Sequence, residues 1–246
     1  MAFGFAVPLA AQTPQHAACA ASLAVCPTRG CEPAGSAHAL VNQRKRTVPG
    51  PGAAVSLSFD DFTTLQSEAA ALVGEKRGLS RTARAKLQHL NTSSRPVTEG
   101  DLVEVTGFIV GTPHANKGES VNCGLPGVPN NDFHITLARR WDDTEYDGIV
   151  AEMIPQDRPV NWSTDNLRSV AHAHRQVLVR GQLFYDNAHA VNGDPDNDLP
   201  GQPKRFALWE VHPVTEFLVC RTEAGGCDAS DPADWRELGV EPNPPR

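Results

Sequence analysis

The chain has 246 residues, 40% of them hydrophobic, and a net charge of −7. That is enough apolar material for one core, and the length and pattern predict a compact domain of about 120–150 residues beside spacer sequence. No run of about 18 apolar residues occurs, so no membrane-spanning helix is expected. The charge is uneven. Residues 1–96 carry 10 Lys/Arg against 5 Asp/Glu, residues 97–221 carry 10 against 18, and residues 222–246 carry 2 against 6. The acidic middle disfavours nucleic-acid binding by phosphate neutralisation.

Residues 1–58 are rich in Ala, Pro, Gly and Ser and read as a targeting segment plus linker, largely disordered. The opening "MAFGFAVPLAAQ" resembles the end of a secretory signal without its charged start, which predicts an exported, periplasmic or extracellular protein. The basic run "NQRKR" at 42–46 reads as a solvated tail, or as a docking point for an acidic partner. Six cysteines, at 19, 26, 31, 123, 220 and 227, favour disulfides over zinc because no paired C-x-x-C spacing occurs. Cys220 and Cys227 bracket a Gly-Gly turn and would close a small loop. Cys123 reads as a disulfide partner or buried thiol, with a nucleophile activated by His134 as the weaker reading.

Residues 59–96 read as a helical hairpin. Phe62, Leu65, Ala69, Leu72 and Val73 share one face of its first helix. Ser80 would cap a second helix carrying Ala83, Leu87 and Leu90. From residue 97 the period changes to two. Strands are expected at 101–111, 132–138, 148–154, 175–186 and 205–220, with a helix at 164–173 between the third and fourth. Gly107 and Gly181 lie mid-strand, where a barrel needs a bend or bulge. A bend is expected at Pro213. Residues 222–246 read as an acidic, Pro-rich tail.

Five strands with one helix between strands 3 and 4 are what an OB-fold requires, so 97–221 resembles an OB-like barrel and the chain is mainly β. The motifs "ESVNC" (119–123), "DFHITL" (132–137), "EMIP" (152–155), "GQLFYDNAH" (181–189) and "WEVHPV" (209–214) follow in order. Together they resemble a set of uncharacterised bacterial proteins with an OB-like core. That resemblance implies the fold and names no activity. The stretch around Asp194 departs from it, being longer and more acidic.

Polar residues intrude on these strands. Asp132 and His134 share one strand face, as do Glu210 and His212. Glu152 sits in the third strand, and Asp186 and His189 close the fourth. If the strand ends converge, His134, His189, His212 and Asp132 would ligate a divalent metal, zinc or manganese, with Glu152 or Glu210 as general base. The competing reading makes the same residues structural pairs at a barrel rim, with Trp209 packed outside. Asp194, Asp196 and Asp198 alternate in an acidic turn that suits calcium, although Leu199 and Arg205 break the EF-hand pattern. In "HAH" (172–174), His172 and His174 point to different helix faces and read as non-ligands.

Three functions remain open from the sequence. The first is an exported module binding an unknown ligand or protein, with a His/carboxylate cluster at the barrel rim. The second is a metal-dependent hydrolase. The third is a structural subunit of an extracellular assembly.

Overall fold

A computed structural model describes residues 18–74, 78–189, 191, 204–222 and 226–240. Five strands close on themselves: β2 (Leu102–Ala115), β3 (Phe133–Ala138), β4 (Ile149–Met153), β5 (Gln176–Tyr185) and β6 (Trp209–Cys220). β2 pairs with β3 and β5, β3 with β4, and β5 with β6, all antiparallel, while β4 and β6 run parallel. This ring is the OB-like barrel that the pattern predicts. Helix α4 (Thr164–His172) lies between β4 and β5, capped by Ser163 Oγ, which accepts from Asn166 N. The short β1 (Val55–Ser56) adds to β2 in parallel.

Barrel closure explains the mid-strand glycines. A Cβ at Gly107 would stand 2.7 Å from the Ala138 carbonyl oxygen and against the Phe59 ring. One at Gly181 would stand 2.3 Å from the Pro213 carbonyl oxygen. Here the β5–β6 register slips, with Arg180 opposite Glu216, Gly181 opposite Val214 and Leu183 opposite Val211. The bulge takes in Pro213, which has no N–H to give to a ladder.

Helix α2 (Phe59–Val73) starts at a capping box of Ser58 and Asp61. Its apolar stripe, Phe62, Leu65 and Ala69, is fully buried against the barrel core. The second helix, α3 (Arg81–Arg84), ends earlier than its apolar spacing suggests. Leu87 and Leu90 are still buried, in a turn that Leu90 closes by pairing with Val97.

Two expectations are corrected. Within 1–58, residues 18–58 include α1 (Ala37–Lys45), capped by Ser36, with Ala39, Leu40 and Val41 buried. The Cys26–Cys123 disulfide ties this segment to the loop between β2 and β3, and Cys19–Cys31 folds it back on itself. Its composition hides the anchor because the partner cysteine is distant in sequence. In the acidic tail, β7 (Trp235–Glu237) pairs with β6, and Trp235 and Leu238 are buried. Cys220–Cys227 closes the expected small loop beside it.

Candidate functional site

Every barrel strand brings one terminus to the same end. β3 begins there, β4 and β5 finish there, β6 begins there, and β2 arrives with His114 opposite His134. Pairing then sets the side chains. His134 on β3 stands opposite Glu152 on β4. Val150 on β4 pairs with Glu210 on β6, so Glu210 and His212 project beside Glu152.

The centre is His212, with no solvent exposure. Its Nδ1 lies 2.9 Å from Glu152 Oε2 and 3.3 Å from Glu210 Oε2, and its Nε2 lies 3.4 Å from Asp132 Oδ2. Only the Glu210 contact is aligned as a hydrogen bond. Asp132 Oδ2, Glu152 Oε2 and His212 Nε2 are all buried without a hydrogen-bond partner. Asp132, Glu152 and His212 each bring a ligand-type atom within 4.8 Å of the others, so this group could hold a metal ion.

Surrounding groups fix the carboxylates. Asn122 Nδ2 donates to Asp132 Oδ1 at 2.7 Å, and Asn116 Nδ2 donates to Glu152 Oε1 at 3.1 Å. Arg205 pairs with Glu210. Gln182 Nε2 donates to the His212 carbonyl at 2.6 Å and to the Arg44 carbonyl at 2.8 Å, joining β6 to α1. From α1 comes Lys45, whose ammonium lies 3.0 Å from Asp186 Oδ2 and 4.0 Å from Glu152 Oε2, above the Phe184 ring.

The electrostatics follow from burial and neighbours. Burial pulls the Lys45 ammonium down, but Asp186, Glu152 and Glu210 outweigh it and hold its pKa well above the ordinary value. Burial also opposes charge on His212, yet Glu152, with Asp132 and Glu210, keeps its pKa well above 6.5. Burial raises Glu152, but Lys45 and His212 hold it well below the usual carboxylate range. Glu119 goes the other way, since burial and the neighbouring Asp132 and Glu152 charges push its carboxyl well up.

The expected residues divide. Asp132, Glu152, Glu210 and His212 come together. His134 touches the group from one side, Nδ1 to Glu152 Oε1 at 3.2 Å, with its ring stacked on His114. His189 stands apart from the three-residue group and faces Asp186, Nε2 to Oδ2 at 3.4 Å. Burial lowers its pKa to about 4, so the ring is neutral at pH 7. Trp209 packs inward against Tyr185, not outside. Cys123 is in a disulfide, which removes it as a nucleophile. Asp194, Asp196 and Asp198 lie outside the described residues. His172 and His174 line a depression with Trp141 and Arg168, and a second depression is lined by Arg180, Glu216 and Trp235. Both lie away from the His212 group.

Sequence reasoning missed Lys45, Glu119, Asn116 and Asn122. Glu119 and Asn122 stand inside the quoted "ESVNC", so a signal was there. Lys45 gave none, because it sits in a basic run of the kind usually solvated.

No helix among the described residues is long and apolar enough to cross a membrane. Three disulfides fit an oxidising compartment. No family model, curated protein or solved structure matches the chain, so the barrel supports the OB-like fold and nothing supports the likeness drawn from the motifs.

Proposed function

We propose that this chain is an exported binding module whose barrel end holds one divalent cation, zinc or manganese, on Asp132, Glu152 and His212. One observation carries the reading. Asp132, Glu152 and His212 each bring a ligand-type atom within 4.8 Å of the others, and Asp132 Oδ2, Glu152 Oε2 and His212 Nε2 are buried without a hydrogen bond, the two carboxylates facing opposite nitrogens of the His212 ring. Buried polar atoms normally make hydrogen bonds, and a cation held by these three residues would take the place of the missing ones. One imidazole with two carboxylates suits zinc or manganese better than a thiolate-seeking ion. The cation would bind β4, β6 and the start of β3 to each other and so fix the 116–132 loop as a rigid surface for a ligand or protein. A hydrolase with Glu152 or Glu210 as base needs an open coordination position that substrate can reach. Asp132, Glu210 and His212 are fully buried, which favours binding over hydrolysis.

The test is elemental analysis of untagged protein after equilibration with zinc or manganese and removal of excess. About one equivalent should be retained, and lost in both Asp132→Asn and His212→Ala. Folded wild-type protein that retains neither metal sinks the reading.

A further inference from the structure

Three cysteines of the N-terminal segment and Cys123 of the 116–132 loop form a second group of reactive atoms, none of them among the residues proposed to hold the cation. Cys19 pairs with Cys31, and Cys26 with Cys123. The Sγ atoms of Cys19, Cys31 and Cys123 all lie within 4.8 Å of one another, so the two disulfides abut. Oxidised in pairs, these sulfurs are not metal ligands, because ligation needs the thiolate. Backbone contacts hold the arrangement: Cys19 N donates to Cys123 O at 3.0 Å, and Cys31 N donates to Ser120 O at 3.1 Å. Accessibility is graded. Cys19 is exposed and Cys31 half-buried, whereas Cys26 and Cys123 are buried. Arg46 Nη1 lies 3.9 Å from Cys26 Sγ.

We propose that these four cysteines form a thiol–disulfide relay that passes reduction from the exposed Cys19–Cys31 bond to the buried Cys26–Cys123 bond. The reductant is a small dithiol. One of its thiolates attacks Cys19 Sγ, the Cys19–Cys31 bond breaks, and Cys31 leaves as a thiolate. The second thiol of the reductant then cleaves the mixed disulfide, which yields the oxidised reductant and a Cys19 thiol. The Cys31 thiolate attacks Cys123 Sγ, forming Cys31–Cys123 and breaking Cys26–Cys123. Cys26 departs as a thiolate beside the Arg46 guanidinium and takes a proton from water. One dithiol is oxidised, two electrons enter the protein, and the four cysteines finish with one disulfide and two thiols.

Geometry gives the relay its direction. Exchange is faster when the leaving thiol is the better stabilised anion, and a neighbouring guanidinium supplies that stabilisation at Cys26. The outcome is a shift of tether. The 116–132 loop, held at Cys123, passes from Cys26 to Cys31 and is never released from the N-terminal segment. Mild reduction would therefore leave α1 and Lys45 attached to the barrel end.

The experiment uses the full chain under native conditions. It is treated with substoichiometric dithiothreitol, quenched with N-ethylmaleimide, and mapped by proteolysis and mass spectrometry. The expected product has a Cys31–Cys123 linked peptide, with Cys19 and Cys26 alkylated. Alkylation of Cys19 and Cys31 with Cys26–Cys123 intact would overturn the relay. A Cys19→Ser, Cys31→Ser double variant gives a second measurement. Its Cys26–Cys123 bond should be reduced about tenfold more slowly than in the parent chain, because the internal nucleophile is gone. An equal or faster rate also overturns the relay. Neither readout involves a metal, so failure here leaves the cation reading untouched, and the reverse holds as well.

Discussion

Two charged groups on the same barrel obey different physics. On the flank, Arg180 of β5 donates to Glu104 of β2 at 2.7 Å and to Glu216 of β6 at 2.5 Å, and each acid is its cross-strand partner in register. The Arg180 and Glu216 side chains are 33% and 41% exposed. At the barrel end, Asp132, Glu210 and His212 have no exposure. The flank ladder is explained by strand pairing, since each group keeps water and gains a neighbour. The end cluster is not. Each ion there lost several kcal/mol of hydration, and apolar residues of similar volume would commonly be as stable. Stability alone therefore does not explain it.

The sharpest way to break this contrast is His212→Ala. It leaves Glu152, Asp132 and Glu210 around an empty position with no imidazolium between them. Removing one member of a buried ionic set costs about 3–5 kcal/mol, which calorimetry reads as a lower Tm. A loss under about 1 kcal/mol would mean that the end is as well hydrated as the flank. Added zinc or manganese at about 100 times Kd should raise wild-type stability by about 2.7 kcal/mol and leave this variant unmoved.

Next comes the tether of the N-terminal segment to that end. Cys26 and Cys123 are 97 residues apart, so the paired change Cys26→Ser, Cys123→Ser should cost about 2–4 kcal/mol. Hydrogen exchange should quicken in 37–45, which Lys45 pins to Asp186, and stay slow around Arg180. Equal quickening at both places would show global loosening and erase the distinction.

Most of the barrel was legible. Period-two runs with Gly107 and Gly181 placed five strands, because closure demands bends where only glycine fits. Same-face pairs such as Glu210 and His212 were legible too, since period two is a local rule. Their meeting with Asp132 and Glu152 was not, because it depends on β4 running parallel to β6, a pairing of strands far apart in sequence. Lys45 was least legible. Its run of basic residues has a solvated composition, and contacts with residues far away in sequence, the Cys26–Cys123 bond and the Lys45–Asp186 pair among them, turn that segment inward.

A subtler separation of the two groups comes from pH in the metal-free protein. His212 is held above its ordinary 6.5, so its stabilisation is complete below that pH and fades as pH rises through the folded-state value. Glu152 is held below its ordinary 4.5, so its share is complete above that pH and fades on acidification. Stability should therefore fall on both limbs, and His212→Gln should flatten the alkaline one in a Tm-versus-pH series. Metal binding displaces the His212 proton, so affinity for zinc should rise with pH. An alkaline limb unchanged in His212→Gln would assign it to another group.

Arg180→Ala carries the smallest effect and tests the flank half of the contrast. Both of its ion pairs keep solvent, so their attraction is offset by the entropy of holding long side chains and is screened by salt. A loss of about 0.2–1 kcal/mol is expected at low ionic strength, and it should shrink toward zero near 1 M salt because it comes from the two ion pairs. If the loss instead matched His212→Ala and ignored salt, exposure would not be what separates the two groups.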